Sequence, residues 1–200
     1  MEMRNFAYLL LLSLSFCPQL LIGQGPYDLR VINPKKPWQN QSGVIESATL
    51  SIKPKGLFAE YGLYLTFSER WSGTHFTDDS LEVVLYFELP EAAIVHDSWL
   101  WIDDEIAVAR IMDRLTASQI YDENVAQRSD PSKLVKDSPK GYTLRVYPLI
   151  KGSTRRVKIT YMMPMMWTRH AAMLELPTNI FRVSRIHMQQ FNILMWPEQE

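Results

Sequence analysis

Two hundred residues suffice for one domain that buries roughly 70% of its unfolded surface, so a true core is within reach. The 21 basic and 22 acidic residues leave a net charge of −1, which excludes a global field able to hold nucleic acid or an anionic membrane. Aromatics make up 12% of the chain, with six tryptophans, and favour a β-rich core or stacking surfaces.

Arg4 and the terminal amine precede an apolar run from Phe6 to Phe16, and Gly23-Gln24-Gly25-Pro26 follows, the layout of a secretory signal peptide over residues 1–24. The run is too short to span a bilayer, and no membrane-spanning segment follows it. Cys17, the only cysteine, falls inside the leader. Cleavage near Gly23 or Gln24 leaves no thiol for disulfides, nucleophilic catalysis or Cys-ligated zinc. Bulky Phe16 before Cys17 argues against a lipid-modified cysteine. The expected product is exported (periplasmic, on the cell surface or secreted), and its lack of disulfides points to a bacterial source.

Residues 25–43 are rich in Pro, Lys, Asn and Gln and read as an extended arm or linker, with a glycosylation triplet at Asn40-Gln41-Ser42. From Val44 the pattern alternates. Ala48, Leu50 and Ile52, then Ala59, Tyr61, Leu63, Leu65 and Phe67, predict a first hairpin around Pro54 to Gly56. Glu69 to Asp79 reads as a loop. Leu81, Val83, Leu85, Phe87 and Leu89 alternate with Glu82, Val84, Tyr86 and Glu88 as a strand with one wet face. Ile94–Ile102 and Ile106–Ile111 form a second hairpin through Asp103-Asp104-Glu105.

A helix is predicted over Thr116 to Arg128, capped by the Thr116 hydroxyl and ended by Asp130-Pro131. Its packing side is read as Ala117, Ile120, Tyr121, Val125 and Arg128. A polar loop runs from Ser129 to Gly141. Tyr142 to Tyr147, a stop at Pro148, a turn at Lys151-Gly152-Ser153 and Val157 to Tyr161 give a third hairpin. These pieces predict a mainly β, antiparallel β-sandwich over 44–165 with one amphipathic helix between hairpins. Residues 166–200 hold shorter apolar pieces at Met173–Leu176, Ile180–Val183 and Phe191–Trp196, which complete the domain or open a following region.

The run RIMDRLTASQIYDENVAQRSDPSKL (Arg110 to Leu134), followed by YTLRVYPLIKGSTRRVKITY (Tyr142 to Tyr161), resembles the VIT domain, named for vault proteins and the heavy chains of the inter-alpha-trypsin inhibitor. Leu85 to Val95 resembles the family's strand running into a Leu-Pro corner. The resemblance covers roughly Glu46 to Pro164. It implies structural roles for Ala117, Ile120, Tyr121, Asp130, Pro131, Leu134, Tyr147, Pro148, Gly152, Val157 and Tyr161. It further implies a non-enzymatic module outside the cell or in its envelope, usually placed ahead of a von Willebrand A domain. The Asp-x-Ser-x-Ser of that partner has no counterpart, since Asp78-Asp79-Ser80-Leu81-Glu82 puts Glu82 at the second Ser. A longer surface protein of which this is the front part fits that reading.

Site chemistry is sparse. His75, His96, His170 and His187 lack metal-ligand spacing, and neither a Gly-x-Ser-x-Gly elbow nor a phosphate loop occurs. No catalytic residue and no cofactor are therefore expected. A hydrolase would need a site hidden from sequence. Trp99 and Trp101 share a strand face and could stack on a glycan, although packing in the core or beneath the helix is the favoured reading. Asp103-Asp104-Glu105 lacks calcium-loop spacing and reads as a solvated tip. Met162, Met163, Met165 and Met166 could hold Cu(I) but more simply fill gaps or form a greasy interface. Lys151, Arg155, Arg156 and Lys158 make the third hairpin basic, as a solvated edge would be. The expected partner is a protein, met through Trp99, Trp101 and the methionines or at a sheet edge, with a glycan as the alternative.

Overall fold

A computed structural model describes residues 27–69, 80–110, 112, 114–127, 129 and 131–196. The predicted leader with Cys17, the loop residue His75, the helix-end Arg128 and the helix-stop Asp130 lie outside them. The strands are β1 (Asp28–Asn33), β2 (Lys36–Ser42), β3 (Val44–Lys55), β4 (Phe58–Ser68), β5 (Ser80–Glu88), β6 (Ile94–Ile102) and β7 (Glu105–Val108). Helix α1 (Arg114–Ala126) follows, then β8 (Ser132–Lys136), β9 (Gly141–Ile150) and β10 (Thr154–Pro164). A short ribbon of β11 (Met166–Trp167) and β12 (Ala172–Met173), a 3-10 turn at Thr178–Val183 and β13 (Gln190–Met195) close the chain.

Two sheets pack face to face as the sandwich that the alternation predicts. The smaller has the order β2-β1-β5-β9-β8, the larger β13-β3-β4-β10-β6-β7. Pairing is antiparallel throughout, except that β13 runs parallel to β3. One core joins Leu29, Leu85 and Leu144 of the smaller sheet to Leu50, Leu63, Ile159 and the stacked rings of Tyr61 and Tyr161 of the larger. The predicted first and second hairpins are present as β3–β4 and β6–β7. Gly56 and Gly152 turn the chain at φ +62° and +77°, a region costly for side chains with a Cβ.

Several expectations are corrected. The arm Tyr27 to Ser42 is not a linker: β1 and β2 belong to the smaller sheet, with Leu29, Val31 and Asn33 buried on one face. Pro and Asn content masked that alternation. The polar loop after the helix contains β8, which pairs with β9 and sets Leu134 opposite Leu144. The third hairpin is not a hairpin, because β9 pairs with β5 and β8 while β10 pairs with β4 and β6. Lys151-Gly152 is instead a corner between layers. Alternation reports which face is buried, not which neighbour is hydrogen-bonded, so a corner and a hairpin read alike.

Pro148 does not end its strand. It sits where the β5–β9 register shifts, between Val83↔Val146 and Leu81↔Leu149, and an irregular ladder tolerates a residue without an N–H. Helix α1 starts two residues earlier than expected, so Thr116 is its third residue rather than its cap. The helix buries only Tyr121. Ala117 and Val125 are half-buried, and Ile120, expected to pack, is 43% exposed. The face of β5 read as wet is covered as well, with Glu82 and Val84 both buried.

Candidate interaction surface

The larger sheet turns its even-numbered β4 and β10 residues outward and builds cross-strand rows with them. Registered across β3, β4, β10, β6 and β7, one row reads Thr49, Tyr64, Lys158, Trp99 and Val108; the next reads Ser47, Thr66, Arg156, Trp101 and Ile106. Side chains directly opposite on antiparallel strands touch. Lys158 Nζ lies 3.9 Å from the Trp99 ring centroid and 5.4 Å from that of Tyr64, and the Arg156 guanidinium lies 4.3 Å from that of Trp101. The two indoles themselves meet at 5.9 Å.

Trp99 and Trp101 therefore share a face as expected, but they fill neither the core nor the space beneath the helix. They are half-buried on the outside, under cations, because β6 gives its inward positions to Ser98 and Leu100. The basic residues also divide. Arg156 and Lys158 serve this outer ladder, whereas Arg155 is buried and donates from Nε to the Pro148 carbonyl at 2.5 Å. Since β10 is flanked by β4 and β6, it is no solvated edge.

Beside the ladder runs a groove of about 410 Å³ along β3. Ser47, Thr49 and Ser51 line it with Tyr64, Arg156, Leu194 and Trp196, and Lys53 also lies 5.7 Å from the Trp196 ring centroid. At the β3–β4 end Lys55 Nζ donates to Glu60 Oε2 at 2.6 Å, and His96 Nε2 stands 3.8 Å from the same oxygen. The Lys55 hydrogen bond, then the charges of Lys55, His96 and Lys53 against an opposing effect of burial, hold the Glu60 carboxyl below its ordinary value. A depressed carboxyl contributes stability above its unfolded pKa of about 4.5 and loses it as pH falls through the folded value. Lys55→Ala is thus expected to cost less than about 1 kcal/mol at neutral pH and nothing in strong acid, as read from denaturation midpoints across that range.

The four methionines do not converge. Met163 and Met165 are buried in the core, which corrects their reading as surface; Met162 turns outward beside Ile94, and Met166 is exposed in β11. Asp103-Asp104-Glu105 forms the exposed β6–β7 tip, Asp103 at φ 53°. Among the described residues no three His, Cys, Asp or Glu side chains gather as a metal site. No helix among them is long and apolar enough to cross a membrane.

Several of the residues that the resemblance singled out are buried, Ile120 being an exception. Val157 and Tyr161 lie in the core, Tyr147 and Pro148 are buried, and Tyr147 N donates to the Pro131 carbonyl at 3.0 Å. Tyr121 reaches across from α1 to Glu82 of β5: its hydroxyl donates to Oε1 at 2.6 Å, while Arg145 Nη1 donates to both carboxylate oxygens at 3.2 and 3.0 Å. Burial, then the adjacent Glu82 charge, pushes the Tyr121 phenol far above its usual range, so it remains a donor. Lys133 lies 4.9 Å from the Tyr121 ring centroid and donates to Ser118 Oγ at 3.2 Å. Sequence reasoning missed this cluster. Its only signal was an acid and a base, Glu82 and Arg145, each interrupting an apolar strand.

A family model described as "Vault protein inter-alpha-trypsin domain" matches residues 46–161. The match begins in β3 and ends in β10, so β1, β2 and β13 lie outside it although they complete the two sheets. No curated protein matches the chain.

Proposed function

Since the chain belongs to the vault protein inter-alpha-trypsin (VIT) domain family, we propose that it is a non-enzymatic module that binds other proteins outside the cell or in its envelope. Families of this kind supply interaction surfaces, and the observation that carries the reading here is the outer face of the larger sheet. Its ladder of Tyr64, Trp99, Trp101, Arg156 and Lys158 joins aromatic area to fixed cations, and Tyr, Trp and Arg are residue types enriched where proteins meet. The adjoining groove adds Trp196 and a hydroxyl-lined floor. Export rests on the leader-like first 24 residues.

Crosslinking capture with the full chain, from envelope and secreted fractions, is expected to return a defined partner. Retention should fall at least tenfold on Arg156→Glu combined with Trp196→Ala, both on exposed side chains, with the thermal midpoint unchanged. A partner held equally by the double variant, or none at all, would overturn this reading. Glycan stacking on Trp99 and Trp101 fits less well, because Lys158 and Arg156 already lie against the rings. Tryptophan fluorescence that shifted on titration with cell-wall saccharides would favour the glycan.

A further inference from the structure

The last strand of the larger sheet presents an edge unlike the other three. Among the described residues β13 pairs only with β3, so its second backbone edge meets no strand. Unpaired N–H and C=O groups along such an edge are a template for another strand, and proteins guard them with charge or proline. The other edges carry those guards: Lys36 and Pro37 on β2, Lys133 and Lys136 on β8, and Glu105 on β7. β13, with the sequence QFNILM, has neither. Phe191, Ile193, Leu194 and Met195 are between 43% and 62% exposed, and an uncharged apolar segment of this length is an aggregation hazard if left uncovered.

We infer that β13 pairs antiparallel with β13 of a second copy of this chain, about a twofold axis at Ile193, joining the two larger sheets edge to edge. The inference rests on reading the chain as an interaction module. The strand's own sequence selects a second copy. In an antiparallel pair opposite residues share a face, so Ile193 opposite its own copy sets Phe191 against Met195 and Asn192 against Leu194. One face of the seam then carries Phe191, Ile193 and Met195 from both copies, all apolar. Identical strands commonly repel where like charges meet, but β13 has no charge to oppose. Phe191 is already set in place against Phe181, ring centroids 4.7 Å apart, which lowers the cost of ordering the seam. A six-residue seam is small for an interface, so the dimer is a weak one that depends on concentration.

Sedimentation of the full chain over a concentration series is expected to show monomer giving way to dimer, and amide exchange of β13 should slow as dimer accumulates. Ile193→Lys puts like charges opposite each other and should leave monomer at every concentration, with an unchanged thermal midpoint. Ile193→Asp should do the same alone, and an equal mixture of the two variants should restore the dimer. Recovery on mixing requires Ile193 to face its own copy. A wild-type chain that stays monomeric, a dimer indifferent to Ile193→Lys, or variants that stay apart when mixed would each overturn the inference. Exchange measured on the wild type decides the matter if a variant fails to fold. Arg156 lies three strands away on β10, so capture lost with Arg156→Glu alone while the dimer persists is told apart from loss of the dimer.

Discussion

Arg145→Met is expected to lower the stability of the domain by about 3 kcal/mol. Glu82 is only 5% exposed, and its carboxylate is held by the Tyr121 hydroxyl and by two contacts from Arg145 Nη1. Removing the guanidinium leaves a buried anion with one neutral donor, and breaking a buried pair costs more than the pair is worth intact. The figure sits at the low end for such pairs because about a third of the Arg145 side chain remains in solvent. Glu82→Gln combined with Arg145→Met removes both charges, keeps an acceptor for the Tyr121 hydroxyl and should regain most of the loss. Denaturant midpoints of the three proteins measure this directly. A single variant within about 0.5 kcal/mol of wild type, or a double variant no better than the single, would show that the pair holds nothing together.

This cluster also shows where sequence reasoning stops. Period-two alternation located β3, β4 and β5, because each has a face against the core and hydrophobic burial forces that pattern. It could not see that Glu82 and Val84 lie under cover, since a strand buried on both faces loses its polar side. Nor could it assign sheet membership. β9 and β10 alternate as cleanly as β3 and β4 do, yet the Lys151-Gly152 corner sends them into different layers. The arm failed for another reason: Lys36 and Pro37 suit an edge strand as well as they suit a linker, and composition does not separate the two. Trp99 and Trp101 were placed on one face by spacing alone. Which face was decided by β10, whose Arg156 and Lys158 stand opposite Trp101 and Trp99 in register.

Tyr121→Ala is expected to cost about 3 kcal/mol, the largest loss available anywhere on α1. A helix of 13 residues is marginal in water on its own and depends on what it buries. Here that is one side chain. The ring of Tyr121 packs against the smaller sheet beside Lys133, and its hydroxyl satisfies Glu82. Truncation removes the anchor and takes a donor from a buried carboxylate together. Tyr121→Phe keeps the ring and should lose only about 1 kcal/mol, since Arg145 still serves both carboxylate oxygens. Ile120→Asp, one residue away, should change stability by less than about 0.5 kcal/mol, because Ile120 faces solvent. Helical spacing alone puts Ile120 and Tyr121 on the same packing side and ranks them as equals. Denaturant melts, with limited proteolysis of α1 as a local readout, should order the variants Tyr121→Ala, Tyr121→Phe, Ile120→Asp by decreasing damage. The reverse order would mean that α1 docks through its Ile120 side, and that the Glu82 carboxylate finds its second donor elsewhere.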